Sequence, residues 1–236
     1  MRGGWRRFFG RAQNWVALAI IGLVVAVAIA APALAPPAEP GSTSELKRGG
    51  DVGGPLPQPP SAEHPLGTTQ AFDVYHTFVW GTRSALRFGL TVALLSAGFG
   101  VLLGAVSGYA GGPAEAAILR VTDAFLAFPA IAAIWLLRRT VFEGAFIESA
   151  GLVELTPLTE ALFALKIDAV TLALILFGWM PYARIVNASV AQAKRAEYVL
   201  AARASGASPG RILFRHVLPN AAAPAVVLAA RDVGAA

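Results

Sequence analysis

The stretch FGLTVALLSAGFGVLLGAVSGYAGG, residues 88 to 112, decides the class of fold because it contains no charged side chain. A helix rises about 1.5 Å per residue, so about 20 apolar residues cross the hydrocarbon core of a bilayer. A second stretch of this kind, WVALAIIGLVVAVAIAAPAL, runs from Trp15 to Leu34 inside an uncharged region between Arg11 and Glu39. We therefore predict two transmembrane helices here.

The composition agrees with a membrane protein. Of the 236 residues, 56% are hydrophobic and 14% are charged, and the mean hydropathy is +0.61. The chain has no cysteine, which excludes disulfides, thiolate metal sites and a cysteine nucleophile. The net charge is +5, but the basic residues lie at the edges of apolar runs and not on one polar face. This distribution argues against nucleic-acid binding.

Three further apolar runs are shorter between charges, and they are Ala124 to Leu137, Ala169 to Ala183 and Val217 to Ala230. Runs of this length also occur in buried helices of soluble proteins. Beside two clear spans they predict three more transmembrane helices, near residues 116 to 137, 167 to 190 and 217 to 236. The expected fold is an all-α, polytopic membrane helical bundle with about five spans.

The N-terminal region has two interpretations. MRGGWRRFFGR followed by an apolar block and Ala33-Leu34-Ala35 is similar to a signal peptide with its cleavage site. However, the apolar block exceeds the about 7 to 15 residues of a signal peptide, which favours an uncleaved helix. Four arginines precede this helix and place the N-terminus in the cytoplasm by the positive-inside rule, and they are Arg2, Arg6, Arg7 and Arg11.

These boundaries divide the chain into four predicted parts. They are a cytoplasmic basic tail at 1–13, the first transmembrane helix at 14–35, an external linker and interfacial segment at 36–86, and a core at 87–236 that contains a cytoplasmic loop at 191–217. The external segment begins as a linker rich in Pro, Gly and Ser and ends in a short interfacial helix with Arg83 and Arg87. A second external segment, 138–166, is predicted as a surface helix or a solvated loop.

Small residues recur every fourth position in the second span, at Ser96, Gly100, Gly104 and Gly108. They share one helix face and allow another backbone to approach closely. This face either packs helices within one subunit or lines a moving pathway.

Other features of the spans are two prolines and an ion pair. Pro129 and Pro181 predict bends, because proline removes a backbone donor. Arg120 and Asp123 lie one turn apart and are expected to pair at the cytoplasmic end of the third span.

We find no pattern that predicts catalysis. The three histidines, His64, His76 and His216, are far apart in sequence, and no serine lies in a G-x-S-x-G motif with a nearby acid and base pattern. None of the three lysines follows a glycine-rich phosphate loop, so there is no Walker A site. We therefore predict no catalytic residue, no metal site and no bound cofactor. If the protein uses ATP, another chain binds it.

The stretch EYVLAARASGASPGRILFRHVLPN, residues 197 to 220, interrupts the apolar runs on the predicted cytoplasmic side. Helix formers begin it, and Gly206 permits a turn that a β-carbon would resist. Ser208 and Pro209 suit the N-cap and first turn of a second short helix, which Leu218-Pro219 is expected to end. Two short helices suit a docking element for another protein, although an ordinary basic loop is the alternative.

This stretch resembles the EAA loop of ABC-importer permeases. In that loop an alanine-rich triplet is followed by a glycine, an aliphatic residue and Leu-Pro at fixed spacings. Here Leu200-Ala201-Ala202 is the triplet, Gly206 the glycine, His216 the aliphatic position and Leu218-Pro219 the close. The C-type permeases of the dipeptide/oligopeptide/nickel subgroup are also similar in three other stretches, which are HPLGTTQAFDVYHTFVWGTRSALRFGL at 64–90, GYAGG at 108–112 and RVTDAFLAFPAI at 120–131.

The resemblance implies a permease subunit of an ATP-driven importer for di- or oligopeptides, in a bacterial or archaeal cell membrane. The implied partners are a second permease subunit, two ATP-binding cassette subunits that hold ATP and magnesium, and an external substrate-binding protein. The residues implied to couple this chain to the ATPase are Glu197, Ala201, Ala202, Arg203, Gly206, Leu218 and Pro219.

The resemblance also implies a sixth span beyond Ala236, so the permease core at 87–236 is expected to be truncated. Two alternatives stay open at this stage. One is a truncated membrane scaffold that does not transport, and the other is a permease for nickel or another small solute.

Overall fold

The computed structural model describes residues 9–36, 57–69, 72–142 and 156–235. Part of the basic tail, most of the external linker and the middle of the second external segment lie outside these residues. The chain divides into two compact units, Met1–Phe88 and Gly89–Ala236.

The first unit contains helix α1, Ala12–Leu34, and a short antiparallel hairpin of β1, Thr68–Thr69, and β2, Phe72–Asp73. Helix α2, Val74–Ala110, begins directly after the hairpin. Near the end of α1, Trp80 Nε1 donates a 2.8 Å hydrogen bond to the Ala35 carbonyl. Ala31, Ala35 and Val79 form a small buried cluster beside it. Indole donors of this kind fix the end of α1 against the start of α2.

Helix α2 corrects the prediction of a separate interfacial helix. It is one helix of 37 residues that includes both the predicted interfacial segment and the second span. No proline interrupts it, and Arg83 lies over the Trp80 ring at 5.6 Å. Asp73 caps its start, because Asp73 Oδ1 accepts a 2.9 Å hydrogen bond from the His76 amide. At about 1.5 Å per residue the helix is longer than the about 30 Å hydrocarbon core.

The second unit is built from the rest of α2 and a series of shorter helices. They are α3 Gly112–Leu126, α4 Ala130–Thr140, α5 Pro157–Ala164, α6 Ala169–Gly178, α7 Met180–Ala193, α8 Glu197–Ala204, α9 Pro209–Arg211, the π-helix π1 Ile212–Val217, α10 Leu218–Ala221 and α11 Ala223–Ala235. Their shared core contains Ala105 of α2, Val186 of α7, Val199 of α8 and Val217 of π1. The loop predicted to be cytoplasmic, 191–217, is therefore packed onto the spans.

The described residues contain three helices long and apolar enough to cross a membrane. They are α1, α2 and the 25-residue stretch Ala169–Ala193 formed by α6 and α7. The number rises to five if each of two bent helix pairs is one span. The all-α, polytopic class is thus confirmed, with the two-stranded hairpin as an addition, while the number of spans and the side of the N-terminus stay predictions.

The two prolines that were predicted to bend their spans behave differently. Pro129 precedes α4, and α3 and α4 meet at 84°. Pro181 lies in the first turn of α7, where a helix does not need the missing amide. As a result α6 and α7 continue each other across Trp179, while the third predicted span is sharply broken.

The predicted stop at Leu218-Pro219 is wrong. The chain stays helical from Pro209 to Ala221 and bends by 52° only before Ala223. The Leu218 amide bonds to the Leu213 carbonyl, which is the five-residue spacing of a π-helix. Asn220 Nδ2 donates a 2.9 Å hydrogen bond to the His216 carbonyl. The wider turn and this side-chain donor accommodate Pro219 without ending the helix.

Candidate functional site

The small residues of α2 lie directly against α7. A β-carbon on Gly100 would be 2.3 Å from the Trp179 carbonyl oxygen, and one on Gly104 would be 2.4 Å from that of Ala183. A β-carbon on Gly108 would be 2.5 Å from the Asn187 carbonyl oxygen. Backbone cannot yield as a flexible side chain does, so only glycine permits this approach. The predicted face therefore lies against three successive turns of α7.

Polar side chains link the same two helices. Asn187 Nδ2 donates a 2.9 Å hydrogen bond to Ser107 Oγ, which donates in turn to the Gly104 carbonyl at 3.1 Å. Both side chains are buried. Ser96, Gly100, Gly104 and Gly108 form the glycine stripe of α2. At its other end Ser96 is buried, and its Oγ would lie 2.9 Å from a β-carbon on Gly178. The sequence pattern identified Ser96 but missed Asn187, because a single asparagine in an apolar run carries no spacing signal.

Lys194 joins the end of α2 to the start of the loop. Its Nζ donates a 2.7 Å hydrogen bond to the Gly108 carbonyl, in the last turn of α2. A cation there satisfies a carbonyl that the helix leaves unpaired and opposes the negative end of the helix dipole. Lys194 comes two residues before Ala196, which is the N-cap of α8. Sequence reasoning counted this lysine among the basic residues of the loop, excluded it as a phosphate-loop lysine, and missed its bond to α2.

Replacing Lys194 with methionine is expected to destabilise the second unit, because the Gly108 carbonyl loses a charged donor. The expected loss in free energy of unfolding is about 1.5 kcal/mol. Thermal unfolding of the purified chain in detergent measures it, with Arg195→Met as the matched control, because the neighbouring Arg195 is exposed. Equal unfolding temperatures for the two variants would contradict this role.

The loop 191–217 contains helix α8, which has an inner and an outer face. On α8, Val199 is fully buried in the core, and Ala202 is half-buried against it. Tyr198 and Leu200 lie at the two edges of the outer face, about 200° apart around the helix axis, and are 43% and 53% exposed. Three of the predicted coupling residues, Glu197, Ala201 and Arg203, are also exposed. Ala202 therefore belongs to the support of α8, and the large apolar side chains of the outer face were missed.

Gly206 closes α8 with a backbone motif. The Gly206 amide bonds to the Arg203 carbonyl at 3.0 Å, and the Ala207 amide bonds to the Ala202 carbonyl at 3.1 Å. This pair of bonds is a Schellman motif, which places the closing glycine in the left-handed region. Gly206 has a φ of 79°. No atom among the described residues would lie within 4 Å of its β-carbon, so conformation and not space requires glycine here.

The second limb of the loop, residues 208–221, leads back to the spans through π1. Ser208 occupies the N-cap of α9, yet its side chain makes no capping hydrogen bond to any described residue. Leu218 is half-buried against the core and Pro219 is exposed. The structure thus places Glu197, Ala201 and Arg203 along α8 and Gly206 just after its end, while Leu218 and Pro219 lie in α10.

The ion pair predicted between Arg120 and Asp123 of α3 is replaced by a pair between two helices. Asp123 accepts a hydrogen bond from Arg184 of α7 and not from Arg120 of its own helix. Another cross-helix bond lies on the opposite side of α7, where the Tyr182 hydroxyl donates to Asp232 Oδ2 of α11 at 2.7 Å. Tertiary partners therefore replace the local pair that the sequence spacing suggested.

Comparison with known proteins identifies the family of this chain. Residues 100–236 match the family model of the binding-protein-dependent transport system inner membrane component. The chain is 30% identical to the oligopeptide transport system permease OppC of Bacillus subtilis, over 91% of this chain and 61% of that protein. It is 32% identical to the dipeptide transport system permease DppC of Alkalihalophilus pseudofirmus, over 98% and 68% respectively.

OppC of Mycobacterium tuberculosis is also similar, at 31% identity over 98% of this chain and 70% of that protein. The chain thus spans 61% to 70% of the length of these three relatives. The matches confirm the resemblance to this family of permeases. The chain belongs to the binding-protein-dependent transport system inner membrane component family, whose members are multi-pass proteins of the cell membrane.

Proposed function

We propose that this chain is a permease subunit of an ATP-driven importer that carries di- or oligopeptides across the cell membrane. The observation that carries the proposal is the loop between α7 and π1, which holds a short helix whose buried anchor, Val199, is flanked by two exposed apolar side chains, Tyr198 and Leu200. The names of the relatives support peptides as the substrate over nickel or another small solute.

In this proposal α8 is the contact to an ATP-binding cassette subunit. Tyr198 and Leu200 enter a cleft on that subunit, and the exposed Arg203 and Glu197 lie at the rim of the contact. Apolar side chains at the centre with charged groups around them are typical of protein interfaces. ATP and magnesium are bound by the partner subunits, and this chain supplies no catalytic residue.

Two features support the transfer of motion from the loop to the spans. Val199 is buried with Ile212 and Val217 of π1, so α8 does not move independently of the second limb. Lys194 and the glycine stripe bind α7 to α2, so a displacement of the loop moves both helices together. A second permease subunit completes the pathway, and an external substrate-binding protein delivers the peptide.

The experiment for this proposal replaces Leu200 with serine and measures co-purification of the ATPase subunits together with peptide uptake. Burying a leucine at an interface contributes about 1.5 to 3 kcal/mol, so we expect the association to weaken about tenfold or more. The thermal stability of the chain is expected to stay unchanged, because Leu200 is exposed.

The matched control is Leu158→Ser, which removes an equally exposed leucine from α5. It is expected to retain both co-purification and uptake. Normal co-purification with Leu200→Ser would overturn the assignment of α8 as the ATPase contact. A chain that co-purifies with no ATPase and supports no uptake in its unmodified form would overturn the permease proposal itself.

A further inference from the structure

The Arg184–Asp123 pair is exposed although it lies within the apolar helices. The side chain of Arg184 is 51% exposed and that of Asp123 is 57% exposed. Their bond uses one terminal nitrogen of the guanidinium and one carboxylate oxygen. Other donors of Arg184 and the second oxygen of Asp123 are therefore directed away from this bond.

The lengths of α3 and α7 indicate that the pair lies near the middle of the membrane. Lys194 bonds to the Gly108 carbonyl, so the end of α7 and the end of α2 lie at one level, and α3 begins two residues after α2 ends. From that level Asp123 is about 16 Å along α3 and Arg184 about 15 Å along α7, at about 1.5 Å per residue. Both distances are about half of a 30 Å hydrocarbon core.

Two charges at that depth are costly against lipid, even when they are paired. Intramembrane charges therefore face a water-filled cavity or the interior of a bundle. The exposed face of α7 continues in both directions from Arg184, through Pro181 and Ala188 to Gln192. This stripe has no large aliphatic side chain, in contrast to the exposed leucines and isoleucines of α1. Its chemistry suits water better than acyl chains.

An aromatic cluster lies next to the pair, where the helices are broken. Phe125 and Phe128 flank the break between α3 and α4, and each contacts Phe177 at 5.4 Å between ring centroids. Trp179, at the junction of α6 and α7, contacts Phe125 at 5.8 Å and Phe99 at 5.2 Å. Broken helices at membrane depth are tolerated where they line a cavity. The rings lie one turn further from the loop than the charges.

We propose that Arg184 and Asp123 form a charged station in the peptide pathway, which binds the terminal carboxylate and the terminal ammonium of a free peptide as it passes the aromatic cluster. This proposal rests on the proposed function. A guanidinium binds a carboxylate with two parallel hydrogen bonds, and a carboxylate binds an ammonium. The pair closes on itself when no peptide is present, so neither charge is left alone. The aromatic rings act as an apolar barrier on the far side.

The test uses cysteine labelling, because the chain contains no cysteine. Ala188→Cys places one thiol a turn away from Arg184 on the exposed stripe and leaves the pair intact. The assembled importer in open membrane fragments is treated with a charged methanethiosulfonate, and label on this chain is measured by mass. We expect Ala188→Cys to be modified at least tenfold faster than Ile21→Cys, whose side chain is exposed on the apolar helix α1. Equal, slow labelling would overturn the aqueous pathway.

The second arm repeats the labelling with millimolar trialanine or with N-acetyl-trialanine amide. Trialanine is expected to slow labelling of Ala188→Cys at least threefold, whereas the blocked peptide has no effect. Adding Asp123→Asn to the same chain is expected to remove the protection. Equal protection by both peptides, or protection that persists in the double variant, would overturn the charged station. Uptake by the unmodified assembly is measured in parallel, so failure of the station with normal uptake leaves the proposed function standing.

Discussion

Replacing Gly104 with valine is expected to separate α2 from α7 and to lower the free energy of unfolding by about 3 kcal/mol. The new β-carbon would lie 2.4 Å from the Ala183 carbonyl oxygen and 3.0 Å from its Cα. Since the obstructing atoms are backbone, relief requires a shift of the whole helix. The same shift would break the hydrogen bond from Asn187 to Ser107.

Alanine already introduces the clashing β-carbon, so Gly104→Ala is expected to show a smaller loss in the same direction. Gly98→Val is the matched control, because it lies in the same helix and a β-carbon there meets no atom of the described chain within 4 Å. Thermal unfolding in detergent and the yield of folded protein measure the effect. If Gly104→Val unfolds at the same temperature as Gly98→Val, the close approach of the helices is not needed.

Replacing Gly206 with valine is expected to abolish peptide uptake and to weaken the association with the ATPase subunits, while membrane insertion stays normal. At a φ of 79° a β-branched residue is strongly disfavoured. The Schellman motif would open, and α8 would no longer present Tyr198 and Leu200 in one orientation. The cost of a left-handed residue, about 1 to 2 kcal/mol, is large for a helix of 8 residues.

Two matched variants separate backbone strain from side-chain bulk. Asparagine tolerates the left-handed region, so Gly206→Asn is expected to retain most of the uptake. Gly210→Val adds the same bulk to an open position of the same loop with an ordinary backbone conformation, and it is expected to be neutral. Co-purification of the ATPase and uptake in membrane vesicles are the measurements. Full uptake with Gly206→Val would defeat the assignment of this turn as a coupling element.

The sequence predicted those features of the second unit that repeat or that depend on a single breaker. The spacing of Gly100, Gly104 and Gly108 identified one face of α2, because four residues make nearly one helical turn. Pro129 identified the break between α3 and α4. The Leu-Pro stop failed because the helix continues through the π-turn, and Pro219 lies in the first turn of α10, where a missing amide is tolerated.

The missed features depend on partners that are distant in sequence. Lys194 and Gly108 are 86 residues apart, and Asn187 and Ser107 are 80 apart. A local pattern contains neither partner, so no spacing rule finds them. The prediction of a separate short interfacial helix was wrong because the local pattern was ambiguous. Aromatic residues with Arg83 and Arg87 are equally compatible with a longer helix, and only the absence of a proline distinguishes the two.

The π-helix π1 affects which side of the helix faces the core between the loop and α11. Buried residues recur at Leu213, Val217, Ala221 and Ala225, always four apart. An α-helix turns about 100° per residue, so a strict repeat of four drifts about 40° at each step. The wider turn of π1 takes up part of that drift and keeps the four residues on one side. Deleting one residue from π1 would restore an ordinary α-turn and keep the phase of α11, whereas deleting one residue from α10 would rotate α11 by about 100° and turn Asp232 away from Tyr182.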